Sequence, residues 1–144
     1  MSELGGQAVS LSGVQSASVT FPASELKNGI GGSTRTLVSG VAGKIIVVLF
    51  TMYQLNGATV AWTQGDIAVQ NRNADFTWAD YNPFFQGDTG TQVEGQTPFN
   101  SHGGVSNPAL TSSIKGDDLV ARCDGNGNAH GNGSITVTVF YQAL

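Results

Sequence analysis

Ser134-Ile135-Thr136-Val137-Thr138-Val139-Phe140-Tyr141-Gln142-Ala143 is the stretch that decides the fold. Ile135, Val137, Val139 and Tyr141 fall on one side of an extended chain; Thr136, Thr138, Phe140 and Gln142 fall on the other. Alternation with a period of two marks a strand with one face in a core. The second set holds threonines and an aromatic ring instead of charges, so that face is expected to have neighbours as well.

Working outward, Ile45-Ile46-Val47-Val48-Leu49-Phe50 is continuously apolar, which predicts a strand covered on both faces. After Thr51 the pattern becomes mixed. Asn56-Gly57 then predicts a tight hairpin, because a type I′ turn needs positive φ at both central residues, with a return strand over 58–63. Shorter strands are expected over 14–21, 34–38, 66–70 and 117–123, and a weaker one over 110–114. Pro22-Ala23-Ser24-Glu25-Leu26-Lys27 reads as a short helical turn, since proline suits a first helical position. Asn28-Gly29 ends it. Residues 71–109 are rich in Asn, Asp, Gly, Thr, Gln and Pro, with poor periodicity and scattered aromatics. A structureless loop of that length is improbable in a compact domain, so the segment holds short strands or packs on a neighbour.

The expected architecture is all-β: a single-domain antiparallel β-sandwich or jelly roll over 14–144, with a long loop-rich segment at 71–109. Residues 1–13 are Gly, Ser and small residues and read as a flexible amino-terminal arm that orders on a neighbour. No repeat of fixed period is visible, which argues against propellers and solenoids.

Composition narrows the function classes. With 144 residues the chain supports one hydrophobic core. Charged residues make up 11%, against about 25% in ordinary soluble domains. Six Lys plus Arg and a net charge of −4 argue against a nucleic-acid partner bound through phosphates. No apolar run is long enough for a membrane-spanning helix, and Met1-Ser2-Glu3-Leu4-Gly5 does not read as a signal peptide, so no membrane partner is expected. The single Cys123 cannot form an internal disulfide.

Candidate chemistry is sparse. The loop from Asp124 to Gly133 begins like a calcium loop, but Ala129 stands where glycine is needed and Ile135 where a bidentate Glu belongs. A Gly/Asn turn between strands explains it more simply. His102, Cys123 and His130 match no zinc spacing and place no nucleophile beside a base. Cys123 reads as a small core residue. Gly29-Ile30-Gly31-Gly32 and Gly103-Gly104 lack the context of phosphate loops. Asp75, Asp80, Asp88 and Glu94 lie among aromatics, as an acid/base pair on a sugar platform would. Trp78 and Tyr81 alone would suit a glycan contact without chemistry. The competing reading is that these rings fill the core or an oligomer interface. No catalytic, metal or cofactor residues are assigned.

The order of features resembles small β-rich structural proteins of tailed bacteriophages, of the kind that includes capsid decoration (cement) proteins. The residues that carry the resemblance are Phe21-Pro22-Ala23-Ser24-Glu25-Leu26, Thr36-Leu37-Val38, and Gly43-Lys44-Ile45-Ile46-Val47-Val48. They continue with Gly57-Ala58-Thr59-Val60-Ala61-Trp62-Thr63, Gly65-Asp66-Ile67-Ala68-Val69, and the run from Asn132 to Tyr141. The likeness spans 19–70 and 117–142; residues 71–109 depart from it. It implies a jelly roll, no enzyme activity, a homotrimer, a place on the virion head surface after synthesis in the host cytoplasm, and the major capsid protein as partner. The expected partner-binding residues are Phe76, Trp78, Tyr81, Phe84 and Phe85 as interface anchors, with Thr136, Thr138 and Phe140 facing a neighbouring protomer. The alternative is a tail-associated or host-recognition module that uses the same aromatics on a surface glycan.

Overall fold

The computed structural model describes residues 13–27, 33–62, 66–73, 77–81, 85, 87–97, 114–124 and 131–144. Along the chain run β1 (Gln15–Phe21), α1 (Ala23–Lys27), β2 (Ser33–Val38), β3 (Ile46–Ala58), β4 (Asp66–Asn71), β5 (Thr77–Tyr81), β6 (Gly90–Gln96), β7 (Leu119–Asp124) and β8 (Ser134–Ala143). The strands form two four-stranded antiparallel sheets, ordered β1-β8-β3-β6 and β2-β7-β4-β5. The first strand pairs with the last, the second with the seventh, the third with the sixth and the fourth with the fifth. A long antiparallel ribbon wound into two sheets gives that order, and it is the jelly roll.

Alternation places the core between the sheets. Ile135, Val137, Val139 and Tyr141 of β8 face inward beside Ile46, Val48, Tyr53 and Leu55 of β3. Ile67, Val69, Trp78, Ala79, Leu119, Ala121 and Cys123 are buried on the second sheet, and all belong to one cluster. The Tyr53 hydroxyl crosses the sandwich and donates to the Ile67 carbonyl at 3.2 Å. Thr51 is also fully buried in β3, and its Oγ1 has no hydrogen-bond partner among the described residues. An unmade bond on a buried hydroxyl costs about 1–3 kcal/mol. Thr51→Val keeps the shape and removes the hydroxyl, so it is expected to raise the unfolding free energy by about 1 kcal/mol in urea titrations. A loss of that size would show that the hydroxyl is satisfied after all.

Helix α1 turns the corner from the first sheet to the second. The Pro22 carbonyl accepts from the amides of Glu25 and Leu26 at 3.0 and 3.2 Å. Proline therefore caps the helix one residue earlier than the first-turn position that its sequence context suggested. Leu26 anchors the turn in the core. Glu25 pairs with Arg35 of β2, whose guanidinium lies 5.6 Å from the centroid of the Phe21 ring.

Several expectations are corrected. Asn56-Gly57 does not turn the chain: β3 runs through it to Ala58, and no strand returns over the described residues 59–62. Leu55 opposes Gln92 and Ala58 opposes Gly90, so Asn56 and Gly57 together face Thr91. This is a β-bulge, and Gly57 at φ +61 supplies the left-handed residue it needs. The Asn56 side chain donates to Thr136 Oγ1 at 3.1 Å, so β8 holds the residue in the sheet that a turn would have released. Position 62 is only an isolated bridge, with the Trp62 side chain fully buried. The apolar run at 45–50 is covered on one face within this chain: Ile46 and Val48 are buried, while Val47 and Phe50 are half-exposed and Leu49 is exposed. Within 71–109 the chain forms β5 and β6, two strands that periodicity did not reveal. Residues 1–12 and 110–113 lie outside the described residues, as do 125–130 of the Gly/Asn loop.

Strand β7 begins at Leu119 because Asp117 and Asp118 tether the ends of neighbouring segments. Asp118 accepts from the Gly40 amide at 2.7 Å and from Arg72 Nε at 3.0 Å. Asp117 accepts from the Asn73 amide and side chain at 2.9 and 2.6 Å. The Gly40 hydrogen bond above all, then Arg72, holds the Asp118 carboxyl below its usual pKa. Arg35 does the same for Glu25, chiefly through its hydrogen bond. Both carboxylates have a lower pKa folded than unfolded, so their stabilisation is complete above the unfolded value near about 4 and is lost as pH falls through the folded value. The midpoint of thermal unfolding is expected to drop below about pH 4, and Asp118→Asn is expected to flatten that acid limb. An unchanged limb in the variant would remove Asp118 from the account. Both ion pairs are largely solvated, so the effect is small beside that of the core.

Candidate functional site

The outer face of the sheet β1-β8-β3-β6 is the candidate site. Its rows follow from the register. Thr20, Thr136 and Gln54 lie side by side across β1, β8 and β3, as do Ser18, Thr138 and Met52 in the next row, which continues to Gly95 of β6. Ser16, Phe140 and Phe50 form the third row. Ser18 and Thr138 hydroxyls hydrogen-bond at 2.7 Å, and those of Thr20 and Thr136 at 2.9 Å. The Phe50 and Phe140 rings sit 6.2 Å apart and tilted by 42°, within the range of attractive aromatic pairs. A Cβ on Gly95 would run into the Phe50 ring, so glycine is what lets that ring lie over β6. Val93, on the same outer register, is 56% exposed.

Among the described residues this face carries no charge. Strands β1, β3 and β8 contain no Asp, Glu, Lys, Arg or His at all. Glu94 of β6 lies opposite Tyr53 and so belongs to the inner register. The second sheet differs. Arg122 stands on its outer register between Thr34 and Ala68, and Asp80 occupies the position opposite Ala68. Arg72 and Asp118 lie beyond its β4 and β7 ends.

Thr136, Thr138 and Phe140 are thus brought together on one surface, each partly exposed. The aromatics of 71–109 are placed otherwise. Trp78 is 1% exposed and donates from Nε1 to Asn71 Oδ1 at 2.8 Å. Phe85 is also buried, although its backbone holds φ +48, a region that bulky residues rarely enter. Both rings pack within their own chain, so neither is available to a partner or as one side of an exposed glycan platform. Tyr81 lies at the end of β5 opposite Ile67. Phe76 and Phe84 lie outside the described residues, and so does Asp75. The Asp88 amide donates to the Phe85 carbonyl at 3.0 Å.

Sequence reasoning missed Phe50, Met52, Val93 and Gly95 as members of this face. The available signal was that three separated segments, 15–21, 46–58 and 134–143, are all free of charge. Cys123 is fully buried in β7. Among the described residues no group of three or more His, Cys, Asp or Glu side chains is placed to share a metal ion, and no helix is long and apolar enough to cross a membrane.

No protein-family model matches the chain, and no curated protein matches it in sequence. Among solved structures it is similar to a chain of the cyanophage Pam1 capsid asymmetric unit, with a TM-score of 0.48 and 17% identity over 90% of this chain and 82% of that one. It is similar also to the decameric BFDV capsid protein, with a TM-score of 0.35 and 11% identity over 91% of this chain and 98% of that one. A third similarity is to the infectious bursal disease virus Gx strain structure, at 0.25 and 14%, over 89% of this chain and 36% of that one. The jelly-roll assignment itself stands on the strand order and register.

Proposed function

We propose that the protein is a non-enzymatic structural component of a tailed-phage virion, a decoration protein that binds the outer surface of the head and stabilises contacts between capsomers. The observation that carries this reading is the jelly roll itself, whose order of features resembles that family, with the uncharged outer face of β1-β8-β3-β6 for contacts between copies. Interface cores are depleted of charge and enriched in aromatics and methionine, as this face is with Phe50, Met52 and Phe140. The partners are the major capsid protein and further copies of the chain, as a homotrimer. Phe76, Tyr81 and Phe84 remain proposed partner contacts, and residues 1–13 a proposed arm for the shell.

The mechanism is linkage. A protein that binds only the assembled lattice stabilises it by RT ln(1 + [L]/Kd) at every site, about 2.7 kcal/mol when free protein stands at one hundred times Kd. Heads lacking the protein are expected to lose their DNA at a lower temperature than heads to which it has been added back. The shift should saturate with added protein. Equal release temperatures with and without saturating protein would rule out a stabilising role.

A further inference from the structure

We propose that the outer face of β1-β8-β3-β6 is the self-association surface of the protein, and that its occupant is a second copy of this chain. The inference deepens the reading above, on which it rests for the presence of further copies, by naming the surface that joins them.

Charge selects the occupant. The chain carries a net charge of −4, so two copies repel wherever charged surfaces meet. This face presents Ser16, Ser18, Thr136, Thr138, Met52 and Val93, none of them ionisable. Neutral meets neutral there without like-charge cost. Polar cost is low as well. The Ser18, Thr20, Thr136 and Thr138 hydroxyls already hydrogen-bond one another, so covering them strips away little that the sheet has not satisfied.

Size agrees. Strands of 7, 10, 13 and 7 residues, rising about 3.4 Å per residue and spaced about 4.8 Å apart, give a face of roughly 600 Å² in projection. A standard stable interface covers about 800 Å² of accessible surface on each partner, which exceeds its own projection. One copy therefore supplies about one interface. The run at 45–50 fits the same picture: its sequence asks for cover on both faces, and this chain covers one.

The test is the mass of the full-length protein in solution, by light scattering after size exclusion at tens of micromolar. The wild type is expected as an oligomer. A dimer means the two faces meet directly, and a trimer means each face turns toward a three-fold axis; both support the proposal. Met52→Lys puts a charge at the centre of the face and is expected to give monomers. Val93→Lys is the second variant, because a residue more than half exposed tolerates lysine without unfolding, as far-UV circular dichroism would verify. Val60→Lys, on an exposed residue outside the strands, should keep the wild-type mass. A monomeric wild type, or folded Val93→Lys protein of unchanged mass, would overturn the proposal. Head binding by such a monomer would leave the virion reading standing, whereas an oligomer that ignores heads would leave the face and remove the virion role.

Discussion

Trp78→Ala is expected to lower the unfolding free energy by about 4 kcal/mol, in the range of large-to-small aromatic deletions in cores. The ring is among the largest fully buried side chains and packs in the cluster that joins the two sheets. Its loss leaves a cavity next to Asn71, which is itself fully buried and would lose the donor to its Oδ1. Both effects act in the same direction. Chemical denaturation of wild type and variant checks the figure. A change below about 1 kcal/mol would mean that the ring lies at the surface, where an anchor for a partner would sit, and not in the core.

Gly40→Val is expected to cost about 3 kcal/mol by a different route. A Cβ at residue 40 would press into the backbone of Gly116 and Asp117. Backbone cannot rotate aside as a side chain can, so the segments must separate. Separation also breaks the bond from the Gly40 amide to Asp118, the contact that chiefly lowers the pKa of that carboxyl. The variant should therefore lose stability and show a shallower acid limb together. Gly43→Ala is the contrast. Nothing lies within 4 Å of a Cβ there, and the cost is only that of a left-handed backbone at φ +78, about 1–2 kcal/mol. Equal losses for the two would mean that close approach is not what Gly40 provides.

The strands with strong alternation or a clear start were legible in the sequence. β8 is there to its full length, because its buried residues keep a strict period of two. The Pro22 turn and β2 follow from proline chemistry and a short β-branched run. β5 and β6 were not legible. Thr77-Trp78-Ala79-Asp80-Tyr81 carries a register shift at Trp78, which breaks the period. Gly90–Gln96 is an edge strand whose residues are mostly exposed, so nothing apolar marks an inner side. Asn56-Gly57 misled for a physical reason: positive φ serves a bulge as well as a turn, and only β8 and β6 flanking β3 decide between them. The face itself was half legible. Thr136, Thr138 and Phe140 stood out through alternation. Phe50, Met52 and Gly95 did not, since their shared surface depends on which strands lie side by side.

Co-sedimentation with mature heads that lack the protein, with tails run alongside, tests the virion reading most directly. Saturable binding to heads alone is expected, at a stoichiometry set by the symmetry of the lattice. Binding to tails or to a host surface glycan, with none to heads, would contradict it.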